Sequence, residues 1–332
     1  MFIYNKYFRY LDKFIFKDYF IKKKNFEISI LQNLHVAKKN NFLNNLDLLD
    51  DLILKIKRNN KLKIVQLNEI VSSCSKNINL LSFRVDIDAG IWSLKKMAKI
   101  FNKHKIICPF YILAGSYYYG HKCNQNFFEK NDFFFNNYLD VIKNENQLIG
   151  IHNNILDFYI SGLDGLEILK SEINFLNKKK YNIKSSSSHN SAWYYGAENF
   201  QIFEDFTNKD INNDFFIKKN IRLGLIKMSS LGLDFEANFP TLVNKQNLKY
   251  FSYKTSDPIR DVIWLKNHFI NNPIYKSAYD TDIWLVGKNN FFIADRIRKT
   301  INLDCTFDKI LDYLDTYNNN KIVFNLHPEY FY

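Results

Sequence analysis

The stretch 80-LLSFRVDIDAGIWS-93 decides how this chain is read. An apolar run leads into Arg84, Asp86 and Asp88 and stops at Ala89-Gly90. Side chains alternate faces along a strand, so residues two apart share a face. Phe83, Val85 and Ile87 then point one way, and Arg84, Asp86 and Asp88 the other. The carboxylates stand at the strand's C-terminal end, where open sheets and barrels of parallel strands collect ligands and chemistry. An edge strand with one solvated face fits the same letters. Two neighbouring carboxylates repel, so burying them requires a cation, a shared proton or a metal. Arg84 supplies one cation, and a second has to come from elsewhere in the chain.

Outward from this stretch, alternation and short apolar runs predict further strands over 108–113, 148–153, 182–189, 282–287 and 322–327, beside the first at 80–88. Amphipathic periodicity predicts helices over 93–105, 132–146 and 164–180, with Ser93 and Asp164 as N-caps. Strands alternating with helices imply a parallel sheet, open or closed into a barrel. Residues 1–79 read as mostly helical, an extension packed on the domain formed by 80–332. Residues 195–280 show no regular period. No internal repeat and no Gly/Pro/Ser-rich linker divides the chain.

Three of the seven histidines end predicted strands. His152 ends the apolar run in LIGIHNN, His189 ends the β-type run in IKSSSSHNSAW, and His327 ends the last strand in KIVFNLHPEYFY. Each alone reads as a loop residue or a satisfied core imidazole. In a parallel barrel, however, all these ends share one rim with the two aspartates. One aspartate with two imidazoles is a usual donor set for zinc or another divalent ion.

Composition narrows the classes. At 332 residues, with 46% hydrophobic residues but only 5 Pro and 10 Gly, the chain is neither disordered nor fibrous. Its abundance of Lys, Asn, Ile, Phe and Tyr looks like the product of an AT-rich genome. The net charge of +12 suits anionic partners. Basic residues are nevertheless scattered or in short groups such as Lys22-Lys23-Lys24, and no nucleic-acid motif accompanies them, so no specific nucleic-acid partner is expected. Cys74, Cys108, Cys123 and Cys305 form no CxxC pair, which argues against a thiolate zinc site or a disulfide framework. The N-terminal stretch has neither a signal-peptide core nor a transmembrane run. It reads as an amphipathic helix packed on the domain, with peripheral membrane contact as the alternative. A reducing, cytoplasmic setting follows.

Taken together, the motifs resemble the polysaccharide deacetylase family, carbohydrate esterase family four and its relatives, over roughly residues 80–332. The closest likeness is to the branch found in bacterial surface-polysaccharide gene clusters. "FRVDID" looks like the family's first motif, "GIHNN" its second, "SSSHNS" the third motif of that branch and "FNLHPEY" the final Leu-His motif. The resemblance implies a distorted (β/α) barrel and a metal-dependent hydrolase acting on a carbon–nitrogen bond. It implies Asp86 as catalytic base, Asp88, His152 and His189 as metal ligands, and His327 as general acid. The ion is expected to be Zn2+, with Co2+, Ni2+ or Mn2+ as alternatives. The substrate is expected to be an N-acetylated sugar or its nucleotide-linked form.

Two departures stand out. Leu156 occupies the position of the main family's second histidine, and the Arg-Pro-Pro motif that orients the base is absent, a role open to Arg84. For sugar contacts the candidates are Asn153, Asn190, Trp193, Asp257 and Arg260. Turn formation explains the two Asn equally well, and core packing explains Trp193. Glu329 or Asp257 is expected to keep His327 charged. The competing reading is a catalytically inactive protein of this fold that binds a glycan or scaffolds its assembly.

Overall fold

Residues 45–72, 78–88, 90–116, 118–124, 127–189, 197–206, 214–238, 262–264, 281–286, 290–295 and 321–331 are described by a computed structural model. Asn190, Trp193, Asp257, Arg260 and the N-terminal amphipathic segment lie outside these residues. Along the chain run α1 (Leu46–Arg58), β1 (Leu62–Ile64), α2 (Leu67–Ser72), β2 (Asn79–Ile87), α3 (Leu94–Lys103), β3 (Pro109–Leu113), β4 (Gly120–Asn124) and β5 (Phe127–Lys130). Next come α4 (Asp132–Phe134), a π-helical turn (Phe135–Leu139), α5 (Asp140–Asn144), β6 (Leu148–Asn153), α6 (Ile155–Ile160), α7 (Gly165–Lys178), β7 (Ser185–Ser188), α8 (Asp214–Lys218) and β8 (Phe235–Glu236). The described elements close with β9 (Val262–Trp264), β10 (Thr281–Val286), β11 (Asn290–Asp295) and β12 (Lys321–Leu326).

One sheet takes the order β8-β7-β6-β3-β2-β12-β11-β10-β9, with β1 beside β2, while β4 and β5 form a separate hairpin. Pairing is parallel from β8 through to β11 and antiparallel for β11–β10 and β10–β9. β2 is central: β12 flanks one edge, and β1 then β3 flank the other. All nine of its residues are buried, which excludes a solvated edge strand.

Two side-chain contacts require the sheet to curl. Arg84 Nη1, from β2, donates to the Ala237 carbonyl just past β8 at 2.5 Å. Those strands are four spacings apart, about 19 Å in a flat sheet, far beyond an arginine's reach. Ser187 on β7, three spacings from β2, donates to Asp86 at 3.2 Å. The parallel sheet therefore curls into a half-barrel, with Arg84, Asp86 and Ser187 on its concave side.

The convex side is apolar. Phe83 packs against Phe101 of α3 at 5.5 Å and Phe324 of β12 at 5.9 Å, and Phe101 meets Phe110 edge-on at 6.2 Å. Such pairs add about 0.5–1.5 kcal/mol each beyond the area they bury. On the concave side Tyr111 lies across β6 to donate to Ser185 Oγ at 3.0 Å. Gly150 permits this, because a Cβ there would run into the Tyr111 ring and sit 3.0 Å from the Ser185 carbonyl.

α1 docks on α3. Leu46, Leu49, Leu52, Ile53 and Ile56 bury one helical face, and the Asn45 side chain caps the N-terminus by accepting from Asp47 N. Asp50 pairs with both Lys103 and His104 at 2.6 Å, and Lys57 donates to the His104 carbonyl at 2.6 Å.

Several expectations change at element ends. The stretch 182–189 yields only the four-residue β7, because Lys180 and Asn182 have positive φ and cannot extend a strand. The helix expected over 132–146 is interrupted by the π-helical turn, which buries Phe134, Phe135, Tyr138 and Leu139 together. Asp164 caps α7 by accepting from Glu167 N. Ser93 stands at the N-cap position of α3, but its hydroxyl instead donates to the Pro328 carbonyl at 2.5 Å. Among the described residues, no helix is long and apolar enough to cross a membrane.

Candidate metal centre

Asp86 and Asp88 face the same side as expected, but their surroundings differ. Asp86 is buried and takes three hydrogen bonds. Arg84 Nη2 and Asn325 Nδ2 donate to its Oδ2 at 2.7 and 3.0 Å, and Ser187 Oγ donates to its Oδ1 at 3.2 Å. Arg84 thus orients Asp86, and it is itself anchored on the Ala237 carbonyl.

Asp88 follows β2 at the rim, with a side chain 25% exposed. His152 Nε2, from the end of β6, lies 3.0 Å from its Oδ1. His189 Nε2 and His327 Nε2 lie 3.8 and 3.9 Å from its Oδ2. The His152 and His189 rings meet edge-on with centroids 5.2 Å apart. One ligand atom from each of Asp88, His152 and His189 falls within 4.8 Å of the others.

The chemistry of this donor set fits a cation. His152 Nδ1 lies 2.7 Å from the Ser187 carbonyl, which can only accept, so Nδ1 carries the proton. Nε2 faces the buried Asp88 Oδ1 at 3.0 Å, with a lone pair when the ring is neutral and with an N–H donor when it is protonated. Two acceptors 3.0 Å apart call for a proton or a metal ion between them. The electrostatics favour a positive charge beside Asp88. Burial opposes ionisation of Asp88, but the His152 hydrogen bond and the charges of His189, His152 and His327 outweigh it and hold its pKa well below the usual carboxylate range. Burial likewise opposes charging His152, and Asp86 with Asp88 overcomes it and raises that pKa.

Backbone and amide contacts set these side chains in place. His189 N donates to the Asn153 carbonyl at 2.9 Å, and Asn199 Nδ2 donates to the His189 carbonyl at 2.7 Å. Glu236 Oε1 accepts from Ser188 N at 2.6 Å, pinning β7 just before His189. Burial raises the Glu236 pKa against the opposing pull of Ser186, Ser188 and Arg84. His327 is held through the residues after it. Trp92 Nε1 donates to the Phe331 carbonyl at 2.6 Å, and Gly90 lets the Glu329 backbone approach so closely that a Cβ would sit 2.5 Å from Glu329 Cα.

Some expected roles change. Asn153 has the turn role open to it: its Oδ1 accepts from Ile155 N at 3.1 Å, opening α6, and its Nδ2 donates to the Asn199 carbonyl at 3.1 Å. Both ends of its amide are thereby occupied. The carboxylate set 3.9 Å from His327 Nε2 is Asp88, a neighbour the sequence did not suggest. Leu156 is fully buried in the core and offers no donor. Asn325, Ser187, Asn199 and Glu236 went unnoticed in the sequence. The available signal was a lone Asn in the otherwise apolar strand 321-KIVFNL-326, two residues before His327 and so on its face.

The described chain is thus an α/β protein with a curled parallel sheet, carrying at its rim an Asp/His/His cluster able to hold a metal ion. No protein-family profile matches it, and no solved structure matches it. Protein Ycf2 of Physcomitrium patens is 29% identical over 189 residues, covering 52% of this chain. The match spans 8% of that protein's length.

Proposed function

We propose that this protein is a metal-dependent hydrolase that removes an N-acetyl group from a sugar or nucleotide-linked sugar precursor, acting in the cytoplasm in the assembly of a cell-surface glycan. The observation that carries the reading is the division of labour on one strand. Asp88 faces His152 and His189, whereas Asp86 is held apart by three hydrogen-bond donors. The order of the motifs, which resembles that of polysaccharide deacetylases, supports it, and the curled sheet is compatible with their distorted barrel.

Asp88, His152 and His189 would hold the ion, with Zn2+ the first choice for one carboxylate and two imidazoles and Co2+, Ni2+ or Mn2+ the alternatives. Such an ion supplies a Lewis acid that polarises the acetyl carbonyl and makes water acidic enough to attack it. Asp86 takes the proton of the attacking water. Its Oδ2 is occupied by Arg84 and Asn325, so Oδ1, with the single longer bond from Ser187, has the lone pair to spare. His327, across Asp88 from His152, gives a proton to the departing nitrogen.

The test is acetate release from a panel of N-acetylated sugars and their nucleotide-linked forms, with and without a chelator. Release that the chelator stops is the expected result. No release from any of them, with the ion bound and the fold intact, overturns the reading in favour of a glycan-binding protein without catalysis. Leu156, buried where the main family has its second histidine, is the observation that favours that second reading.

A further inference from the structure

Asp86 and Asp88 both approach the same imidazole. Asp88 Oδ1 lies 3.0 Å and Asp86 Oδ2 3.9 Å from His152 Nε2. A carboxylate swings by several ångströms on rotating about its Cα–Cβ bond, so proximity alone would let both join one ion. Hydrogen bonding separates them. Asp88 Oδ1 faces the imidazole of His152, itself a candidate ligand, while both oxygens of Asp86 are engaged by donors outside the Asp/His/His cluster.

The three donors to Asp86 differ in where they stand. Arg84 comes from the same strand and is also bound to the Ala237 carbonyl. Ser187 comes from β7 and holds the other oxygen. Asn325 comes from β12, in register with Arg84, and its Nδ2 lies 3.5 Å from His327 Nε2. It therefore bridges Asp86 Oδ2, the oxygen 3.9 Å from His152 Nε2, and the neighbourhood of His327.

We propose that Asn325 is a positioning residue that keeps Asp86 out of the metal's ligand set and so reserves it as a base. Arg84 shares Oδ2 with Asn325 and Ser187 holds Oδ1, and of the two donors on Oδ2 Asn325 is the one that also lies beside His327. An aspartate two residues from a ligand is otherwise a ready extra ligand, and binding the ion would remove its basicity. The inference rests on the metal-centre reading above and extends it to a residue on a strand that supplies no ligand.

The test needs no substrate. Full-length protein stripped of metal is titrated with Co2+, whose visible bands weaken and shift as coordination number rises. Asn325→Leu should weaken and shift the bands relative to wild type, because Asp86 joins the ion. Adding Asp86→Asn to Asn325→Leu should restore the wild-type bands, since an amide is a poor ligand. A merely structural disturbance by Asn325→Leu would persist in the double variant. Ser187→Ala, which keeps the carbonyl that holds His152, should shift the bands in the same sense and less, and it serves if Asn325→Leu does not fold. Bands unchanged in both single variants, or a shift that survives Asp86→Asn, overturn the proposal and leave the metal centre standing. A wild type that gives only the spectrum of free aqueous Co2+ overturns the metal centre itself, and the proposal with it.

Discussion

His152 Nε2 stands 3.0 Å from Asp88 Oδ1, and its other nitrogen is already committed to the Ser187 carbonyl. One imidazole thereby ties together β6, β7 and the end of β2. Its Nδ1 proton is spent on a backbone acceptor, so a neutral ring turns its lone pair on the carboxylate. A pair of acceptors arranged this way is stable only around a positive charge.

The ion should be present at about one per chain. Asp88→Ala and His152→Ala should each lose it on dialysis, and His189→Ala, whose side chain is 34% exposed, should lose it less completely. Elemental analysis measures this. At a hundredfold excess over Kd the ion should stabilise the fold by about 2.7 kcal/mol. A melting temperature indifferent to zinc, cobalt, nickel and manganese would refute the site.

Asp86→Asn and Asp88→Asn should part company. The first keeps the ion and loses turnover by about 10²–10⁴-fold, as expected for a missing general base. The second loses the ion. Equal metal loss in both would mean that both carboxylates are ligands.

His327→Ala should slow acetate release while leaving metal content unchanged, because His327 is assigned to the leaving nitrogen. Comparing turnover with elemental analysis on the same sample decides it. Loss of the ion in this variant would make His327 a ligand.

Gly150→Ala should cost about 1–3 kcal/mol, since its methyl group enters the space of the Tyr111 ring. Tyr111→Leu removes that ring, so the glycine substitution should cost much less in the double variant. Denaturant unfolding of the four proteins in the cycle reads the coupling. Additive effects would show that the ring is not the obstacle.

Acid should weaken the α1–α3 contact. The Lys103 hydrogen bond, aided by His104 and opposed by burial, lowers the Asp50 pKa. A lowered carboxylate pKa contributes stability that is present above the unfolded value of about 3.9 and is lost as pH falls through the folded value. Asp50→Asn should therefore be less stable than wild type at pH ~6 and approach it below pH ~3. A constant difference across that range would exclude the ion pair as the cause.

What the letters of the chain could reveal depended on periodicity. Strand alternation placed Arg84, Asp86 and Asp88 on one face, and the bounds of β6 were legible from an apolar run ending at His152. Asp164 was legible as a cap because capping acts over three residues. Ser93 carried the same local signature and served Pro328 instead, a partner that appears only once the chain has returned. The partners of the Asn153 amide, Ile155 N and the Asn199 carbonyl, likewise appear only in the folded chain.

By itself the sequence determined which side chains share a face and which residues end strands, because both follow from a two-residue repeat and its interruption. It thereby determined the carboxylate pair and the three strand-end histidines. Tertiary structure alone decided which carboxylate is restrained. That depends on β12 lying beside β2 and on the sheet curling until β7 faces it, so that Asn325 and Ser187 meet Asp86 from positions 239 and 101 residues away. No period in the sequence spans such distances. The difference between the two carboxylates comes from hydrogen bonds that exist only after the strands have been ordered.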